Sequence, residues 1–251
     1  MRKILLKIEY DGSGFFGWQT QKDSPTVQQT LELALAKLLG HKVTLHGSGR
    51  TDAGVHALGQ AAHFDTHNMS IPEDKLPFAI NALLPSSVAV QSAVCVPEDF
   101  HARFDAVSKT YCYKIYAGVQ PSPMRERYSA RVIFLPDVQL MRQAAQCLLG
   151  THDFSAFRAS GSSVKGSVRT LTQADIEQTS PTDIELTFSA NGFLYNMVRI
   201  LTGTLVYVGL GKIPADALPN ILKSGDRTLA GKTFPPHGLY LKEVNYNLSE
   251  T

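Results

Sequence analysis

Arg50 and Asp52 stand two residues apart in Gly47-Ser48-Gly49-Arg50-Thr51-Asp52-Ala53-Gly54-Val55-His56, a run broken by three glycines. Glycines at 47, 49 and 54 let a backbone turn sharply and approach a ligand closely, and the side chains between them are mostly too polar for a core. Such a loop could present Arg50 to a phosphate and Asp52 to a reacting group. A loop aspartate also serves as a turn former or helix cap, and that use stands beside the chemical one. Gly49 and Gly54 have the spacing of a nucleotide phosphate loop, but Val55-His56 stand where that motif needs Lys and then Ser or Thr. That motif is therefore excluded.

Two further sets of residues could carry chemistry. In Lys109-Thr110-Tyr111-Cys112-Tyr113-Lys114-Ile115-Tyr116, alternation predicts Tyr111 and Tyr113 on one sheet face and Tyr116 on the other. Aromatic rings beside lysines can stack on unpaired bases, although tyrosine also packs well in any strand. Arg199 sits in the apolar run Phe193-Leu194-Tyr195-Asn196-Met197-Val198-Arg199 and must find a carboxylate, a backbone acceptor or water. Asp52 is one possible partner and a structural salt bridge elsewhere is the other. The eight histidines form no metal or triad pattern: His63 and His67 are four apart on a strand and its following loop, where that spacing does not converge. No serine lies in a nucleophile elbow. A carboxylate, an aromatic and an arginine remain as active groups.

The elements that must hold these residues follow from periodicity. Ile4, Leu6, Ile8 and Tyr10 alternate as a strand. A helix starts near Ser24-Pro25-Thr26, carries Val27, Leu31, Leu35 and Leu38, and stops at Gly40. Strands over 43–46 and 60–65 flank the glycine loop, and a short helix over 77–84 precedes a strand over 88–96. The order β-α-β-β-α-β is that of a ferredoxin-like, split βαβ unit. The second half repeats it with an added strand: strands over 109–117 and 131–135, a helix from Val138 to Gly150, strands over 167–178 and 183–190 ending at Asn191-Gly192, helices over 195–207 and 214–223, and a strand over 238–246. The expected division is into 1–105 and 106–251, without a Gly/Ser-rich linker.

With 251 residues, 43% of them hydrophobic, the chain can bury a core without staples. Cys95, Cys112 and Cys147 are odd in number and lack zinc-site spacing, which suggests a reducing compartment. Lys7 and Glu9 interrupt the apolar start too early for a signal peptide, and no stretch is long enough to span a bilayer, so a cytoplasmic protein is expected. Net charge is only +2, yet residues 101–170 hold ten Lys/Arg against four acids, a local +6 that leaves −4 elsewhere. That asymmetry suits a polyanion such as nucleic acid, and equally a solvated basic face.

Taken in order, the stretches Tyr10-Asp11-Gly12-Ser13-Gly14-Phe15-Phe16-Gly17-Trp18-Gln19, Gly49 to Ala57, Lys109-Thr110-Tyr111, Asp153-Phe154-Ser155-Ala156-Phe157, Phe193 to Arg199 and His237-Gly238-Leu239-Tyr240-Leu241 are those of a known family. The chain resembles, end to end, the bacterial tRNA pseudouridine synthase A family, which isomerises uridines at positions 38 to 40 of the tRNA anticodon arm. The resemblance implies an α+β fold of two ferredoxin-like domains, packed into an extended mostly antiparallel sheet with a cleft between them. It also implies a homodimer that works without a cofactor or metal on a flipped-out uridine. By position, Asp52 takes the nucleophilic aspartate's role, Tyr111 that of the base-stacking tyrosine, Arg199 that of the arginine paired with the aspartate, and Arg50 helps to hold the target nucleotide. Some members have histidine before Met-Val-Arg and asparagine after it, where this chain has Asn196 and Ile200. Two other classes fit the residues alone: a non-catalytic RNA-binding protein of two ferredoxin-like modules, and a glycosidase-like hydrolase, which lacks an obvious second carboxylate in the loop.

Overall fold

The computed structural model describes residues 2–67, 71–161 and 166–247. Met1 and Lys165, which enter the readings above, lie outside the described residues. The chain forms two compact units, one from the described residues up to Val107 together with those from Tyr240 onward, the other from Ser108 to Leu239.

The first unit opens with β1 (Arg2–Tyr10), in which Ile4, Leu6, Ile8 and Tyr10 are buried while Lys7 and Glu9 face solvent, as their alternation requires. Then come α1 (Val27–Leu39), β2 (His46–Gly47), β3 (His56–Thr66), α2 (Leu76–Asn81) and β4 (Val88–Val96). β1 lies between β4 and β3, antiparallel to both, and β2 adds to β3 through His46 opposite His63. This is the β-α-β-β-α-β order read from the sequence. The cap of α1 is Thr26, whose Oγ1 accepts from Gln29 N–H at 3.4 Å, and the helix buries Val27, Leu31 and Leu35. β2 is much shorter than the expected strand over 43–46. Leu45 explains why: its N–H donates to Glu32 Oε1 at 2.9 Å and its carbonyl accepts from Gln28 Nε2 at 3.1 Å, so helix side chains take the groups a ladder would use. The sheet face carrying Leu5 and Ala61 is covered by Phe100 and Ala102.

The second unit contains β5 (Ala106–Ala117), α3 (Pro123–Glu126), β6 (Ala130–Val132), α4 (Val138–Ala145), β7 (Gly150–Asp153), β8 (Val168–Gln178), β9 (Asp183–Ala190), α5 (Met197–Gly209) and α6 (Leu218–Ser224). Strands β5, β9, β8 and β7 pair in that order, all antiparallel, and β6 runs parallel to the end of β5. Two expectations change. The strand over 131–135 ends at Val132, and Ile133, Phe134 and Leu135 are exposed. The helix from Val138 gives way after Ala145 to a 3-10 turn, followed by β7, whose four residues are too few and too polar to show a period. Asn191 does not close a tight hairpin: it exchanges bonds with Thr170, its N–H donating to Thr170 O and its Oδ1 accepting from Thr170 N–H.

The last strand, β10 (Leu239–Tyr246), belongs to the first unit, whereas the division read from the sequence leaves it in the second. It runs parallel to the start of β3, Tyr240 opposite His56 and Leu241 opposite Ala57. Among the described residues no helix is long and apolar enough to cross a membrane.

Candidate active site

The Arg50–Asp52 loop joins β2 to β3 in the first unit, and the loop that follows β1, residues 11–18, lies against it. Trp18 N–H donates to Thr51 O at 3.1 Å and Gly54 N–H to Phe15 O at 3.3 Å, so the backbone is tied on both sides of Asp52. Gly47 lets the loops close up: a Cβ there would stand 2.5 Å from Trp18 Nε1. Its smallness serves the protein's own indole. Gly54 takes a left-handed φ of 77°.

A layer of buried polar bonds supports the loop from below. Tyr10 Oη and Thr51 Oγ1 are 2.7 Å apart, and burial raises the Tyr10 phenol's pKa, keeping it neutral. Gln60, wholly buried, accepts from Ser48 Oγ at 2.7 Å and donates to Gly49 O at 3.0 Å. Gly12 N–H donates to His56 Nδ1 at 3.1 Å. Asp11 Oδ1 approaches the same nitrogen at 3.3 Å. Asp11 also accepts from Ser13 N–H and Oγ, a local turn. His56 stacks on Tyr240 with centroids 4.7 Å apart.

Held this way, Arg50 is exposed and Asp52 half-buried. The turn after Asp52 is closed by its main-chain carbonyl, which accepts from Val55 N–H at 3.1 Å.

Tyr111 and Arg199 lie on the second unit. Tyr111, on β5, is 9% exposed and meets Phe193 edge to face at a centroid distance of 5.1 Å. The other two tyrosines are packing residues. Tyr113 is fully buried, donates to Pro235 O at 2.6 Å and lies edge-on to Phe234. Tyr116 is 2% exposed, under the Arg125 guanidinium at 4.3 Å and bonded to Glu126. Arg199, in the first turn of α5, donates from Nε to Phe234 O at 2.7 Å and from Nη1 to Asn196 Oδ1 at 2.6 Å. The backbone acceptor considered from the sequence is present in Phe234 O, and the Asn196 amide is a partner the sequence reading did not name.

The Tyr10–Thr51–Gln60 layer does not stand out in the sequence. Asn196, marked in the sequence as a departure from some family members, stands three residues before the arginine it bonds. His63, His46 and His101 form a ring cluster, with centroids 4.8 to 5.6 Å apart, that sequence spacing did not reveal because the three come from separate segments. Among the described residues no group of three or more His, Cys, Asp or Glu could hold a metal ion.

Comparison with known proteins adds an independent line. Residues 7–105 and 144–247 match a family model described as tRNA pseudouridine synthase. A tRNA pseudouridine synthase A of Acetivibrio thermocellus is 49% identical over 246 residues, covering 98% of this chain and all of that one. Its counterpart in Bacillus subtilis is 46% identical over 247 residues, covering 98% of this chain and 99% of the relative. Among solved structures, a Cbf5-Nop10-Gar1 complex aligns over 94% of this chain and 56% of that one at 11% identity and a TM-score of 0.35, too slight a likeness to bear on the argument.

Proposed function

This chain belongs to the tRNA pseudouridine synthase family, and we propose that it converts uridine to pseudouridine at positions 38 to 40 of the tRNA anticodon arm, with Asp52 as the essential carboxylate. The observation that carries the reading is the Arg50–Asp52 loop, tied by main-chain bonds on both sides and by buried hydroxyl and amide groups beneath. Preorganisation of this kind is what a reacting carboxylate needs, because a loop free to move would lose the alignment that makes the step intramolecular.

The chemistry suits these side chains. Uracil must part its N1 bond to the ribose, turn, and rejoin through C5, after which the C5 proton leaves and N1 carries one instead. Substrate and product are isomers, so the net reaction consumes no oxidant or reductant, and it is proposed to run without cofactor or metal. Asp52 is the proposed nucleophile on the flipped-out uridine. Tyr111 offers a ring for the flipped base, and Arg50 and Arg199 offer guanidinium donors to the nucleotide. Exclusion of water matters, since a detached base beside an activated sugar would otherwise leave an abasic site. The protein is further proposed to act as a homodimer in the cytoplasm, which light scattering of the purified protein and fractionation of its host would check.

The decisive experiment measures tritium release from C5-labelled uridine in tRNA, together with tRNA binding. Wild type should release tritium, and Asp52→Asn should lose nearly all turnover while binding tRNA. Turnover by Asp52→Asn at the wild-type rate would remove Asp52 from the mechanism. Binding without release by either protein would favour the non-catalytic RNA-binding module, which the family membership disfavours.

A further inference from the structure

Asn196 occupies the position just before α5 with a left-handed backbone, φ 59° and ψ 9°. An asparagine there would ordinarily turn its side-chain oxygen onto one of the first free helix amides, yet it makes no such bond. Its Oδ1 accepts from Arg199 Nη1 at 2.6 Å instead. Only its main-chain carbonyl serves the helix, accepting from Ile200 N–H at 3.0 Å. A left-handed site that needed nothing from its side chain would be filled most easily by glycine. The opposite edge of the guanidinium is held by Phe234 O at 2.7 Å from Nε, and Phe234 N–H returns a bond to Arg199 O at 3.1 Å. Two acceptors on different edges of one planar group fix both its position and its plane.

We propose that Asn196 is a positioning residue for the reaction: its amide oxygen orients the Arg199 guanidinium toward the substrate. The proposal rests on the reading of Arg199 as a substrate-binding residue. Phe234 holds the guanidinium through its backbone, so Asn196 is a side chain through which the orientation can be changed.

Three variants separate this role from that of a helix-start residue. Asn196→Gly keeps the left-handed backbone and removes the acceptor, and Asn196→Asp keeps an acceptor of the same reach. Asn196→Gly should lower single-turnover C5-tritium release about tenfold to a hundredfold, with the melting temperature near that of wild type, and Asn196→Asp should recover most of the loss. In an Arg199→Lys background, which has no guanidinium to orient, Asn196→Gly should add less than about twofold. Wild-type turnover in Asn196→Gly, an equal loss in Asn196→Asp, or the same loss in both backgrounds would each overturn the proposal. Wild-type turnover by Arg199→Lys alone would instead defeat the reading of Arg199 on which it stands.

Discussion

Thr51, between the two residues assigned to chemistry, points its hydroxyl down to Tyr10 at 2.7 Å while its carbonyl takes the Trp18 N–H at 3.1 Å. One residue therefore transmits the order of the core to Arg50 and Asp52. Tyr10→Phe would leave the Thr51 hydroxyl buried without that partner, at a cost of about 1–3 kcal/mol, which lowers the melting temperature by several degrees. Adding Thr51→Val removes the orphaned group as well, so the double variant should regain most of that stability in a thermal unfolding series. Turnover should not follow it back, because the bond that seats the loop is still missing. Equal recovery of stability and turnover would show that the Tyr10–Thr51 bond matters only for folding. At this scale the sequence was legible where residue type is unusual for its setting: a carboxylate and an arginine between glycines, a charge in an apolar helix. It was silent on Tyr10 and Gln60, whose polar ends are buried by a strand pattern that marks them only as core.

The elements that present Arg199 owe their placing to one close approach. Gly203 on α5 faces the chain just before Phe234, and a Cβ at 203 would come within 1.9 Å of Lys232 O. That contact sets Phe234 O at the Arg199 guanidinium, and Gly231 N–H donates to Thr204 Oγ1 at 2.9 Å beside it. Alanine is favoured over glycine inside a helix by about 1 kcal/mol, but the overlap with a backbone oxygen should cost about 1–3 kcal/mol or more. Gly203→Ala is therefore expected to destabilise, with turnover falling further than a surface substitution of similar stability allows; a raised melting temperature would contradict the close approach. Periodicity predicted α5, α1 and β4 because long apolar patterns outweigh local detail. It overextended β2, where helix side chains took the strand's backbone groups, and started α5 two residues early, at Tyr195, because the left-handed Asn196 holds the boundary. β7 lay below any periodic signal.

For the whole molecule, charge counting and burial have different consequences for solution behaviour. Of the ten cations in 101–170, Arg125 pairs with Asp183, Arg131 with Glu126, and Arg142 donates to Ile176 O, so part of the local +6 is committed internally. Affinity for tRNA should still fall as salt rises, measured as a negative slope of log affinity against log salt, while Arg142→Gln should leave that slope unchanged. Acid acts through the histidine cluster of the first unit. His63 is 2% exposed, accepts from Ala102 N–H at 3.1 Å through Nδ1, and faces His101, His46 and Lys3, with Asp65 opposing them. Burial above all, then the neighbouring His101, His46 and Lys3, push its pKa down to about 4 from an ordinary 6.5. Above about pH 6.5 the ring is neutral folded or unfolded, and its contribution to stability does not vary. As pH falls from 6.5 towards 4, the unfolded chain takes up a proton that the folded ring refuses, so stability drops, and the loss is complete once both forms are protonated. His101, also shifted down by burial, adds in the same direction. Melting temperatures taken at pH 7.5, 6 and 5 should therefore fall across the series for wild type and fall less for His63→Gln, which keeps an acceptor for Ala102 N–H but takes up no proton. Parallel curves for the two proteins would mean that His63 titrates alike in the folded and unfolded chain, and the acid sensitivity of this window would then come from other groups, His101 among them.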